Sequence, residues 1–154
     1  MQMSSFPVMV VLMGLPASGK STFYERRFSR THLRINLDML RTRNRESEIM
    51  AACLRTSQSL VIDNTNITRA ERARYIDAAK QCRFRVEGYF LHESVDACLL
   101  RNEQRADGDR VPRVAILAKK KSLEFPAMQE GFDALSYVRP ESGDFCVEDW
   151  RHEI

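Results

Sequence analysis

Nine residues, GLPASGKST from Gly14 to Thr22, follow the apolar run Val8–Met13. The G-x-x-x-x-G-K-S spacing suits a backbone cradle for a polyphosphate. Gly14 and Gly19 let the chain turn and aim N–H groups at phosphate oxygens. A helix starting near Lys20 adds the partial positive charge of its N-terminus. Lys20 would reach the terminal phosphates of a nucleotide as a mobile charge, and the Ser21 hydroxyl would ligate Mg²⁺. Gly14, Ala17, Ser18, Gly19, Lys20, Ser21 and Thr22 are therefore the expected nucleotide contacts.

A cation needs a carboxylate nearby. Asp63 ends the apolar run SLVID, at the tip of an expected strand, where open α/β sheets carry their ligand-binding residues. It either holds the metal or caps the turn that DNTN makes. An acceptor hydroxyl needs a base, and NLDMLR offers Asp38, with Arg41 three residues on to hold an acceptor phosphate. On spacing alone, Asp38 serves equally well as a helix cap. Arg101 and Arg105 lie four apart in RNEQR, before the polar loop RADGDRVP. Arginines on such a lid, about residues 101–115, can clamp a transferring phosphoryl group. A solvated helix face is the alternative.

These residues need a frame to hold them. Short apolar runs alternate with amphipathic stretches: strands at Val8–Met13, HLRIN, Ser59–Asp63 and Phe84–Leu91, and a last short one near LSYV. Helices are expected from Lys20, over ESEIMAACLRTSQ, over TRAERARYIDAAKQC with Thr68 and Glu71 as a capping box, over SVDACLLRNEQR with Ser94 as cap, and from Pro112. The alternation implies a parallel sheet of about five strands covered on both faces.

With 154 residues and no linker or repeat, one domain over 1–154 is expected. The run Phe6–Leu15 lacks a basic flank and does not read as a signal peptide, and nothing is apolar enough to span a membrane. Four cysteines with no CxxC pair argue against zinc or disulfides and for a cytoplasmic setting. The net charge of +3 is too small to identify a nucleic-acid partner, although RRFSR (26–30) and RTRNR (41–45) could line an acceptor channel. The KKK run at 119–121 reads as a solvated face. Trp150 is expected to pack on the core, and His32, His92 and His152 to be structural or surface residues.

In this order, GLPASGKST, NLDMLR, DNTN, CLLRNEQRADGDRVP and EGFD (130–133) resemble the 5′-OH polynucleotide kinase family of P-loop phosphotransferases. That family includes the kinase modules of nucleic-acid repair proteins, and the resemblance runs from about Val8 to Val138. It implies an adenylate-kinase-like α/β fold with a helical lid, ATP and Mg²⁺ as cofactors, and a 5′-hydroxyl end of RNA or DNA as partner. It also implies roles: Lys20 and Ser21 on phosphates and metal, Asp38 as general base, Arg41 on the acceptor's 3′-phosphate, and Asp63 on the metal side. Arg105 would lie on the transferring group, with Arg101 as a second lid contact. Met39 stands where the family often has a charged residue. The alternative acceptor is a small molecule or nucleoside.

Overall fold

Residues 6–151 are described by a computed structural model. The run Val8–Met13 forms β1, and its alternation divides the interior. Met9, Val11 and Met13 face one core layer with Tyr75, Ile76 and Ala79; Val10 and Leu12 face the other with Phe23 and Leu91. A strand buried on both faces needs no polar alternation, which is why it reads as a continuous apolar run.

Parallel strands flank it: β3 (Leu60–Asp63) on one side and β4 (Arg85–Leu91) on the other. Adding β2 (Leu33–Ile35), β5 (Ala134–Glu141) and β6 (Asp144–Asp149) gives the order β2-β3-β1-β4-β5-β6. The first five strands are parallel, matching the expected count.

The sixth was not expected, and it runs antiparallel to β5. Ser142 and Gly143 both take positive φ, 46° and 80°, between the paired residues Glu141 and Asp144. That is the two-residue hairpin whose twist suits adjacent strands. It turns Phe145 and Val147 onto the Phe23 layer. Trp150 packs against the other layer, as expected for a core-packed terminal segment, with its ring 5.6 Å from Phe90.

The helices are α1 (Lys20–Arg27), α2 (Leu37–Leu40), α3 (Arg43–Thr56), α4 (Arg69–Gln81), α5 (Val95–Glu103) and α6 (Arg113–Ser122). α3 and α4 cover one face and α1 the other. Thr68 caps α4 as read from sequence: its hydroxyl accepts from Glu71 N, and the Glu71 carboxylate accepts from Thr68 N. Ser94 caps α5, accepting from Ala97 N. Pro112 is the cap residue of α6 rather than its first helical residue. Thr68→Ala is expected to cost about 1 kcal/mol, the usual worth of such a cap, read as a lower denaturant midpoint at unchanged m-value.

EGFD ties α4 to the sheet. Arg72 is wholly buried and meets Glu130 through Nε at 2.8 Å and Nη2 at 3.1 Å. Asp133 accepts from Val86 N and pairs with Lys80.

Candidate active site

The loop between β1 and α1 closes on its own lysine. Lys20 Nζ donates to Gly14 O at 3.0 Å, Leu15 O at 2.7 Å and Ser18 Oγ at 3.3 Å. Burial pushes the Lys20 ammonium down from 10.5 to about 8, against the pull of the Asp63 carboxylate. The loop depends on its glycines. Gly19 has φ 101°, and a Cβ on Gly14 would sit 2.7 Å from Ser18 Oγ and 2.9 Å from Leu91 O.

Asp63 ends β3 at 2% exposure. Its Oδ2 accepts from Ser21 Oγ at 3.1 Å and from Arg34 Nε at 2.7 Å. It does not cap the DNTN turn. That work falls to asparagines. Asn66, at φ 45°, donates to Leu12 O at 2.7 Å. Asn64 Oδ1 accepts from Leu37 N at 2.9 Å, and Asn36 Nδ2 donates to Asp63 O at 2.7 Å.

These bonds fix α2, a single turn. Its N-cap is Asn36, whose side chain accepts from Met39 N, so Asp38 is not the cap and is left exposed. Asp38 and Arg41 do not share a helix face: Arg41 leaves the turn at φ 74°. Asp38 instead stands between two cavities. The first, about 540 Å³, is lined by Ala17, Gly19, Lys20, Ser21, Thr22, Asp38, Asp63, Arg101 and Arg105, among others. The second, about 850 Å³, is lined by Arg34, Asp38, Arg41, Arg105, Arg110 and Pro112, among others. Asp38 and Arg105 belong to both. Arg41 faces only the second.

Gly14 and Ser18 line neither cavity and, from within the loop, hold Lys20. Arg101 lines the first, but its guanidinium is committed to the loop carbonyl of Ala17 and to Glu93 at 2.9 Å. Arg26, Arg27 and Arg30 line neither cavity, so the RRFSR cluster does not form the expected channel; Arg26 pairs with Asp144 beside the hairpin turn.

Three features escaped the sequence reading. Lys119 is not a solvated member of KKK: it lines the first cavity, with Nζ 3.3 Å from Thr65 Oγ1. Glu46 is 1% exposed and gathers Tyr75 OH, Arg43 Nη1 and Asn64 Nδ2 at 3.0–3.1 Å. That network anchors Asn64 and, through it, the turn carrying Asp38. Arg34 is the third. Its Nη2 also donates to Ser21 Oγ at 2.8 Å. His32 packs on Phe28 and His92 on Tyr137, consistent with structural roles; His152 lies outside the described residues. Among the described residues, no helix is long and apolar enough to cross a membrane, and the four cysteines are free.

A phosphate loop between β1 and α1, a buried aspartate at the tip of β3, and the order β2-β3-β1-β4-β5 define a P-loop kinase fold of the α/β class. A family model described as an AAA domain matches residues 41–126, more than half of the chain, and the chain belongs to that family. The bifunctional polynucleotide phosphatase/kinase of Schizosaccharomyces pombe is 31% identical over 133 residues, covering 84% of this chain and 33% of that protein. The chain thus spans about a third of that relative's length. Kti12 of Chaetomium thermophilum, solved in complex with ADP-AlF3, superposes with a TM-score of 0.65 at 18% identity, over 85% of this chain and 88% of that one. A gluconokinase from Sinorhizobium meliloti does so at 0.59 and 20%, over 87% and 83%. Both structures share the fold.

Proposed function

We propose that the chain is an Mg²⁺-dependent kinase, one domain over 1–154 with a lid at about 101–115, acting in the cytoplasm. It transfers the γ-phosphate of ATP to a 5′-hydroxyl of RNA or DNA. The observation that carries this reading is the place of Asp38, on the wall shared by the phosphate-loop cavity and the Arg41 cavity. A switch or simple nucleotide binder has no use for a carboxylate there. The name of the Schizosaccharomyces pombe relative supports the acceptor class.

Ser21 Oγ and Asp63 Oδ2 offer the hard oxygen ligands that Mg²⁺ takes, 3.1 Å apart beside the loop, so the residues fit the ion. When bound, Mg²⁺ neutralises charge on the β- and γ-phosphates. Lys20, turned from its loop carbonyls to the phosphates, adds a positive charge at the same place. Asp38 accepts the proton of the acceptor hydroxyl as its oxygen meets phosphorus in line. Arg105, reaching both cavities, neutralises the transferring group. Arg101 keeps the loop in shape through Ala17 O, and Arg41 holds the acceptor's 3′-phosphate from the second cavity.

A small-molecule or nucleoside acceptor is the second reading. It is favoured by the RRFSR arginines, none of which lines the second cavity. Label transfer from γ-³²P-ATP decides between them. Label on 5′-OH oligonucleotides is the expected result. Label on a nucleoside 3′-monophosphate or a hydroxyl metabolite, with none on oligonucleotides, would move the acceptor to the small-molecule class.

A further inference from the structure

Three side chains close the cation end of the site in a triangle. Arg34 Nε donates to Asp63 Oδ2 at 2.7 Å, and Arg34 Nη2 donates to Ser21 Oγ at 2.8 Å. Ser21 Oγ donates to the same Asp63 oxygen at 3.1 Å. Both groups assigned to the metal are thus already engaged by one guanidinium. The Asp63 side chain is 1% exposed and that of Arg34 28%. A carboxylate buried so deeply needs a cation beside it, and Arg34 provides one from the chain itself.

A divalent ion using Ser21 Oγ and Asp63 Oδ2 would take the oxygens that Arg34 holds. It would also set two positive centres a few ångströms apart, where like charges repel strongly. The two arrangements compete for the same oxygens. Arg34 has somewhere to go. While bonded to Asp63 its side chain already borders the second cavity with Arg41, Arg105 and Arg110, with its guanidinium 5.8 Å from the Tyr24 ring, so a short turn takes it into that cavity.

We propose that Arg34 is an exchangeable internal cation: it occupies Ser21 and Asp63 before the metal arrives, yields them to the divalent ion, and delivers its guanidinium to the second cavity to meet an acceptor phosphate. This rests on reading Ser21 and Asp63 as the metal side and the second cavity as the acceptor's. It adds a positive coupling between metal–nucleotide and acceptor binding, carried by one side chain.

The test compares wild type with Arg34→Gln and Arg34→Lys, without turnover. Mn²⁺ binding beside a non-hydrolysable ATP analogue is followed by electron paramagnetic resonance. Binding of a nucleoside 3′-monophosphate is followed by calorimetry with and without the Mn²⁺ complex. Losing the competitor should tighten Mn²⁺ about ten-fold in Arg34→Gln, within the usual range of coupling between sites. Arg34→Lys keeps a charge beside Asp63 but cannot bridge both oxygens, so its Mn²⁺ affinity should fall between the two. It decides the matter alone if Arg34→Gln does not fold. The 3′-monophosphate should bind wild type several-fold more tightly once the Mn²⁺ complex is present, with the gain lost in Arg34→Gln.

Unchanged or weaker Mn²⁺ binding in the variants would overturn the proposal, because Arg34 would then support the metal site rather than compete for it. An undiminished gain in Arg34→Gln would overturn it as well. Failure of the 3′-monophosphate to bind wild type in either state would remove the acceptor half. The Mn²⁺ comparison needs no acceptor, so it stands apart from the oligonucleotide assay that judges the polynucleotide reading.

Discussion

Asp38→Asn should lower kcat by roughly 10²–10⁴-fold, the usual contribution of a positioned base, while leaving nucleotide affinity nearly unchanged. The substitution is nearly isosteric, and the turn that carries Asp38 is held by other groups. Asn36 caps α2, Asn64 holds Leu37 N, and Asn64 is itself fixed by the buried Glu46 and Tyr75. The Asp38 side chain is exposed at the junction of the cavities, so no packing is lost with its charge. Single-turnover transfer to the best acceptor from the label assay, alongside binding of a non-hydrolysable ATP analogue, separates chemistry from binding. A kcat near that of wild type would show that Asp38 is not the base.

Local signals carried far in this chain. The turn from β1 into a helix at Lys20, the β1 run and the Thr68–Glu71 box each lie within a dozen residues, and each took its expected form. What stayed hidden depends on partners distant in sequence. Glu46 looks like any helix-face glutamate until Asn64 and Tyr75, 18 and 29 residues away, converge on it. Lys119 cannot be told from Lys120 or Lys121 by a count of charges; the helix phase that brings it to Thr65 is set by how α6 packs. Arg34 sits in a three-residue strand too short for its alternation to say which way it points. The direction of Arg41 relative to Asp38 was hidden for a geometric reason. Three-residue spacing puts two side chains on one face only while the helix continues, and α2 stops after Leu40. The hairpin was legible in principle, since Ser142-Gly143 followed by alternating Phe145 and Val147 is a turn-and-strand pattern.

Lys20→Met should cut transfer by about 10²–10³-fold, as loss of one positive donor at a developing charge commonly does. The same change should stabilise the nucleotide-free protein. The Lys20 ammonium is buried among loop carbonyls, and its desolvation outweighs the Asp63 attraction, which brings it from 10.5 to about 8. Between pH 8 and 10.5 the unfolded chain therefore binds more protons than the folded one, and stability rises with pH across that window. Below about pH 8 both states are protonated, and the cost of burying the charge is present in full. Methionine removes that cost, so the melting temperature at pH 7 should increase, and Lys20's share of the rise above pH 8 should vanish. Polyphosphate binding has the opposite sign. It favours the ammonium, so wild-type affinity for ATP should fall as pH climbs past about 8, while the methionine variant, already weak, should show no such fall from this group. Melting curves and nucleotide titrations at pH 7 and 9.5 test both halves. A variant that transfers phosphate at the wild-type rate would leave Lys20 without its role in the cradle. One that melts lower at pH 7 would mean that the hydrogen bonds to Gly14 and Leu15 are worth more than the charge costs. The loop would then be held together by the residue that has to leave it for the nucleotide to bind.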